Sequence, residues 1–173
     1  MTIPNLLSVL RLFITIFFIT AIYEDRMRTA LLLFLLQAFT DLLDGFLART
    51  MGSKTRLGAF LDPLADKAML LSAYVVLNLK GILPLWLTWT VLLRDIVLVT
   101  GFAVLYRLSL QGKPTPSYWG KMTTFFQILT IVYILWSTDR TYAPFFFYPT
   151  ALITFISGIH YVSRGIRIIS KTS

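Results

Sequence analysis

The sequence predicts an all-α integral membrane protein with six transmembrane helices, and three observations carry that prediction. Apolar runs of about 20 residues, the length that crosses the hydrocarbon core of a bilayer, recur six times along 173 residues. Hydrophobic residues make up 57% of the chain and charged ones only 14%, far from the composition of an average soluble domain. The charges gather mainly between the runs, where headgroups and water would meet them.

The first span is expected near 3–23, with Pro4-Asn5 opening a short interfacial N-terminal helix that leads into it. Glu24, Asp25, Arg26 and Arg28 separate it from the second, near 29–50. A polar connection over 50–58 leads to the third, near 59–78, and Lys80 marks its far end. The fourth covers 82–107, and Arg107 to Lys113 divide it from the fifth at 118–137. Asp139 and Arg140 precede the sixth, near 143–169, whose aromatic run Phe145-Phe-Phe-Tyr148 reads as an interfacial belt. In each span the helix satisfies its own backbone hydrogen bonds, which hydrocarbon cannot do for it. No repeat or linker divides the chain, so 1–173 is read as a single membrane domain.

Sorting the loops by side gives an orientation. The side of the N-terminus carries Arg11, Arg49, Lys54, Arg56, Arg107, Lys113, Arg164, Arg167 and Lys171. The other carries Arg26, Arg28, Lys80 and Arg140, with Glu24, Asp25 and Asp139 among them. The positive-inside rule then puts both termini in the cytoplasm. A net charge of +8 fits an anionic lipid surface, and no soluble basic patch exists to carry nucleic acid. The chain has no cysteine, which excludes disulfides and thiolate metal sites. Its single histidine, His160, excludes an imidazole-rich zinc site. The N-terminus lacks a charged n-region and a small-residue cleavage site, so the first run is expected to be retained.

Against this background four carboxylates stand out. Asp41 and Asp44 are three apart, Asp62 and Asp66 four apart, and at helical spacing each pair shares one face. The two helices are consecutive and joined by a short loop, so they are expected to be antiparallel neighbours with both pairs near one end. A charged side chain at mid-membrane costs roughly 2.5–3.5 kcal/mol on insertion scales, so four would cost about 10–14 kcal/mol at full depth. Divalent cations remove both that cost and the mutual repulsion. All-oxygen donors select Mg²⁺ or Mn²⁺ over zinc, with Ca²⁺ also accommodated. Four carboxylates can hold two ions about 3.5–4 Å apart, the spacing of two-metal displacements at phosphorus. Gly45 and Ala48 leave that helix face bare, either for a large ligand or for close helix packing. Arg49 offers a fork suited to phosphate oxygens, or else snorkels to the interface.

The full pattern is Asp41, two residues, Asp44-Gly45, two residues, Ala48-Arg49, eight residues, Gly58, three residues, Asp62, three residues, Asp66. It resembles the signature of the CDP-alcohol phosphotransferases at every fixed position, and the order of spans is similar along nearly the whole chain. The resemblance implies a metal-dependent transfer of a substituted phosphate from a CDP-linked lipid, here CDP-diacylglycerol, to an alcohol, with release of CMP. It implies that Asp41, Asp44, Asp62 and Asp66 hold two ions, Mg²⁺ or Mn²⁺, and that Asp66 is the general base for the acceptor hydroxyl. Asp41, Gly45, Ala48, Arg49 and Gly58 would line the CDP site. It further implies a homodimer among membrane lipids, in the cell (inner) membrane, with the active site facing the cytoplasm.

Three stretches bear on the acceptor. Ile3-Pro-Asn-Leu-Leu-Ser-Val-Leu-Arg11 resembles the opening of phosphatidylglycerophosphate synthases. Asp62-Pro-Leu-Ala-Asp-Lys67 and Gly120-Lys-Met-Thr-Thr-Phe-Phe-Gln127 are similar to those enzymes and to cardiolipin synthases of this fold. Leu93-Arg-Asp95 departs from the Arg-Glu more usual in the former and resembles the latter. Glycerol-3-phosphate is therefore the first expectation and phosphatidylglycerol the alternative. Both carry a phosphate, and Arg94, Lys121 and Arg164 are the expected acceptor-phosphate cluster, with Arg11 a weaker fourth. Arg94 has a competing use as a structural partner of Asp95 or a motif acid. Lys121 and Arg164 also read as ordinary cytoplasmic-side cations. Lys67 is read as neutralising a neighbouring acid, and His160 as a hydrogen-bonded structural histidine.

Two readings of other classes compete. Intramembrane acids also mark cation or proton transporters, but related halves and broken helices are not evident here. A non-catalytic lipid-binding subunit is disfavoured because all four acids are present.

Overall fold

A computed structural model describes residues 3–51, 58–107 and 118–170, and the side chains of 10–40, 67–101, 118–167 and 170. The described residues form six α-helices: α1 (Ile3–Tyr23), α2 (Met27–Met51), α3 (Gly58–Leu79), α4 (Leu85–Arg107), α5 (Tyr118–Trp136) and α6 (Pro144–Ser170). These match the expected spans to within a few residues. Pro4-Asn5 does not open a separate interfacial helix, because α1 runs unbroken from Ile3. A proline in a first turn lacks only an N–H that would have had no intrahelical acceptor, so the helix continues through it. One helix among the described residues is long and apolar enough to cross a membrane, Pro144–Arg167 within α6. Only 17% of its apolar window is buried, and the apolar stretches Leu10–Tyr23, Met27–Thr40 and Lys67–Leu79 are shorter.

The chain divides into two units, one of Met1–Ile82 with Ile134–Thr138, the other of Leu83–Tyr133 with Asp139–Ser173. In the first, α1 packs against both α2 and α3. Ile14, Phe18, Ala21 and Ile22 recur at helical spacing as its buried stripe. Ala30, Leu31 and Phe34 do the same for α2, and Met69, Leu70, Ala73, Tyr74 and Leu77 for α3. Phe18 meets Phe34 with ring centroids 6.0 Å apart. One turn away the buried Thr15 hydroxyl lies 3.4 Å from the Gln37 side-chain oxygen. Those two pairings fix α1 and α2 as antiparallel.

The far ends of α1 and α3 are closed in the same way. Asp25 N–H donates to Ile22 O and Arg26 N–H to Ala21 O, with Asp25 at φ 58°. Gly81 N–H donates to Asn78 O and Ile82 N–H to Leu77 O, with Gly81 at φ 70°. Both are Schellman closures, which need a left-handed residue that glycine supplies freely and aspartate tolerates. Lys80 joins the two ends: its Nζ lies 2.7 Å from an Asp25 carboxylate oxygen and donates to Tyr23 O at 3.1 Å. A cation over the last carbonyls of α1 also suits the helix dipole.

In the second unit α5 and α6 are bound by buried polar side chains. Thr123, Gln127 and Thr130 recur along one face of α5, and Thr150, Thr154 and Ser157 along one face of α6. The Thr130 and Thr150 hydroxyls lie 2.8 Å apart. Gln127 Nε2 reaches Thr154 Oγ1 at 3.5 Å. Thr123 Oγ1 donates to Ile153 O at 3.3 Å, and Thr150 Oγ1 to Phe126 O at 3.1 Å. The pairing order makes the helices antiparallel and sets their register. Between them, Asp139 accepts from Thr141 Oγ1 at 2.6 Å and Thr141 N–H at 3.0 Å. Those bonds hold its exposed carboxyl below the usual carboxylate range. The turn's ionic contribution is therefore present above the ordinary aspartate pKa and fades as pH falls through the lowered one.

The ladder yields a stability prediction. Thr130→Val and Thr150→Val are each expected to cost about 0.5–1.5 kcal/mol, and the pair to be non-additive by about 0.6 kcal/mol. Unfolding of the four cycle members in detergent reads that coupling, and strict additivity would remove the hydrogen bond from the account.

Candidate active site

Helix α2 continues to Met51 and α3 starts at Gly58. Asp41 and Asp44 therefore fall in about the last three turns of α2, and Asp62 and Asp66 in about the first two and a half of α3. Both segments are helical at these positions, so the spacings of three and four keep each pair on one face. Gly45, Ala48 and Arg49 follow along α2, and Gly58 is the first residue of α3. The side chains of these eight residues, and the connection with Lys54 and Arg56, lie outside the described residues. Among the side chains that are described, no group of three His, Asp or Glu could hold a metal ion.

Arg94 is described in full. It lies in α4 at 6% exposure beside Asp95 at 5%. Its Nη1 donates to Asp95 Oδ1 at 2.7 Å and its Nη2 to the fully buried Ser157 Oγ of α6 at 3.3 Å. The guanidinium carbon sits 5.7 Å from the centre of the Tyr161 ring, within reach of a cation–π contact. Its Nε is buried and meets no acceptor among the described residues. Of the two uses expected for Arg94, the structure thus shows the ion pair with Asp95.

The first turn of α5 closes on this group. A Cβ at Gly120 would lie 2.9 Å from the Tyr161 hydroxyl and 3.5 Å from Arg94 Nη2, so only glycine fits without displacing them. Lys121 is the next residue and is exposed; Arg164 is half-buried, one turn past Tyr161 on α6. Gly120, beside Lys121, and Tyr161, one turn before Arg164, therefore both lie close to Arg94. Arg11 is buried on α1, in the first unit. Lys67 is half-buried at the start of the described part of α3. His160 is not a core histidine: it is exposed, with its ring edge-on to Tyr161 at 6.2 Å. It stands on the outward side of α6, whereas Ser157 takes the inward position.

Reading the residues alone misses Ser157 and Tyr161. The signal for Ser157 is present in the sequence, because it continues the Thr150, Thr154 series at helical spacing. Tyr161 carries no such mark; only the proximity of Gly120 reveals it.

A model of the CDP-alcohol phosphatidyltransferase family matches residues 1–159. The chain belongs to that family. It resembles a probable phosphatidylglycerophosphate synthase of Mycobacterium tuberculosis, 35% identical over 94% of this chain and 81% of the relative. It also resembles a CDP-diacylglycerol–glycerol-3-phosphate 3-phosphatidyltransferase of Aquifex aeolicus, 36% identical over 76% of this chain and 74% of that one. A CMP-forming cardiolipin synthase of Rattus norvegicus is 41% identical, over 66% of this chain and 37% of its own length. In this phosphatidyltransferase, Tyr161 and Arg164 lie just beyond the region matched to the family.

The buried pair gives the second prediction. Asp95→Asn leaves a buried guanidinium without its counter-charge and is expected to destabilise the protein by about 3–5 kcal/mol. Replacing both residues by apolar ones of similar volume should cost far less. Thermal unfolding of the single and double variants checks this, and equal losses in both would refute it.

Proposed function

We propose that the protein moves the phosphatidyl group of CDP-diacylglycerol to the hydroxyl of a glycerol-type acceptor, releasing CMP, in phospholipid synthesis. Glycerol-3-phosphate is the proposed acceptor. The observation that carries the reading is the Asp41–Asp66 pattern, borne by two consecutive helices in a chain of this family. The acceptor follows the relatives: those named for glycerol-3-phosphate transfer align along most of both chains, as in the Haemophilus influenzae enzyme, at 94% of each.

The single domain is read as crossing the membrane six times. Even the shortest helix, the 19 residues of α5, is about 28 Å long, close to the hydrocarbon thickness. Large apolar side chains such as Phe13, Phe17, Leu32, Phe39, Phe155 and Ile166 are exposed, as a lipid-facing surface requires. Trp86 stacks on Tyr148 at 5.7 Å and Tyr133 on Phe146 at 4.2 Å, an aromatic band fit for the outer interface. The charge asymmetry then orients both termini and the active site toward the cytoplasm of the cell (inner) membrane. A homodimer is carried over from the family resemblance.

The donor set Asp41, Asp44, Asp62 and Asp66 consists of hard oxygens and fits Mg²⁺ or Mn²⁺. Two such ions, when bound, neutralise the diphosphate and stabilise departing CMP as Lewis acids. Gly45, Ala48 and Gly58 leave bare backbone for the CDP moiety, beside Asp41, and Arg49 forks onto the diphosphate. Asp66 accepts the proton of the acceptor hydroxyl as that oxygen bonds to the lipid-bearing phosphorus. The bond from that phosphorus to the CMP oxygen breaks, and CMP leaves with its electron pair. Lys121 and Arg164 meet the acceptor phosphate, with Arg94 lending charge from behind its pair with Asp95.

A second reading, cardiolipin synthesis with phosphatidylglycerol as acceptor, is favoured by Leu93-Arg-Asp95. The pair is buried, so the change from glutamate to aspartate shortens an arm inside the packing.

Purified enzyme is expected to release CMP from CDP-diacylglycerol with Mg²⁺ or Mn²⁺ and glycerol-3-phosphate, and to stop on chelation. The identity of the labelled lipid decides between acceptors: cardiolipin as product would replace the first reading by the second. Asp66→Asn should abolish turnover and keep CDP-diacylglycerol binding. Normal turnover in that variant would remove Asp66 as the base, and cation flux in proteoliposomes without CMP release would make the chain a transporter.

A further inference from the structure

Between α4 and α6 lies an open groove of about 450 Å³. Its walls include Leu93 and Val97 of α4 and Phe155, Ile159 and Val162 of α6, and the Arg94 stem forms part of the floor. None of the residues used so far for donor binding belongs to it. We propose that this groove holds an acyl chain of an anionic membrane phospholipid, whose phosphate is met by Ser163 and Arg167. The proposal rests on the reading of α4 and α6 as membrane-spanning.

The walls decide the chemistry of the occupant. Leu93, Phe155 and Ile159 are each more than half exposed, at 54%, 62% and 52%, so the groove opens past apolar rims. It runs along α6, the helix that is long and apolar enough to cross a membrane while remaining largely unburied. A water-soluble ligand would have to cross those rims to enter; a lipid chain enters sideways from hydrocarbon. Of the polar side chains lining it, Thr90 donates to Trp86 O and Thr154 accepts from Gln127, so both hydroxyls already have partners. Arg94 lays its stem along the groove and turns its head away to Asp95 and Ser157, the behaviour of an amphipathic side chain at an apolar surface.

The headgroup follows from one ridge of α6. Phe155, Ile159, Ser163 and Arg167 succeed one another at intervals of four and form one slanted ridge that winds from the groove wall toward the end of the helix. That ridge passes from apolar to hydroxyl to cation within three turns, as a phospholipid passes from chain to phosphate. Helix α6 contains no aspartate or glutamate, so the ammonium of a zwitterionic headgroup would find no carboxylate on it. An anionic phospholipid meets only favourable charge. Gly158, in the groove wall, keeps the passage open: a Cβ there would touch nothing closer than Arg94 Cγ at 3.9 Å. A longer side chain at this position would occupy the groove without colliding with backbone.

The test uses the full chain in lipid nanodiscs, with phosphatidylglycerol or phosphatidylcholine carrying the same diazirine-labelled acyl chain. Cross-links from phosphatidylglycerol are expected on Leu93, Val97, Phe155 and Ile159, and from phosphatidylcholine about fivefold fewer, the worth of one basic residue beside an anionic headgroup. Arg167→Gln should bring phosphatidylglycerol down to the phosphatidylcholine level. Gly158→Leu should remove labelling of the groove but not of the exposed Phe17 on α1. Equal labelling by both lipids in the unaltered protein, no labelling of the groove, or labels unchanged in Gly158→Leu would each overturn the proposal. So would cross-linking of the groove residues to a second copy of the chain. If Phe17 also stays unlabelled, it is the membrane-spanning reading that has failed rather than the groove alone.

Discussion

An arginine inside an apolar helix pair must have its charge answered, and in the second unit residues of α4, α5 and α6 gather around that of Arg94. Asp95 supplies the counter-charge from the adjacent position. Ser157 takes a second donor, Tyr161 offers its ring face, and Gly120 withholds a side chain so that the tyrosine can approach. Removing water strengthens such contacts and raises the cost of losing any of them. The pair is thus a point at which three helices must agree on their positions.

The same constraint explains the ladder between α5 and α6. Buried hydroxyls in this helical hairpin bond carbonyls of their own helix, a turn back, and also reach a carbonyl or side chain of the facing helix. Ser157 ends this series and joins it to Arg94. In the first unit, apolar stripes line the described helix contacts, with the buried Thr15–Gln37 contact among them and an ion pair at the far helix ends. Lys80 there ties together two helix closures that each require an unusual backbone conformation.

Helix number was legible because apolar runs of helical length recur six times, and the charged punctuation between them is plain in the sequence. The helix ends were less so. Pro4 reads as a break yet serves as a first-turn residue of α1, and Pro84 sits before α4 and accepts its first backbone bonds, shortening the expected span. The carboxylate pairs were legible from spacing alone, since a helix converts three and four residues into one face. Arg94 was legible as a charge that could not be idle, but not the full set of groups that meet it. That depended on Ser157 and Tyr161, more than 60 residues away in sequence and brought near only by packing.

The α5–α6 ladder carries a consequence for how the chain assembles. Its partners lie 20 to 30 residues apart, across a turn held by Asp139 and Thr141. The Arg94–Ser157 contact closes a loop of 63 residues. Loop-closure entropy grows with that separation, so the hairpin is the less costly contact to form. A hairpin whose hydroxyls are already satisfied can form before α4 docks on it. Arg94 then meets a preformed Ser157, and the slowest search is left to the residue with the strongest reason to find its place.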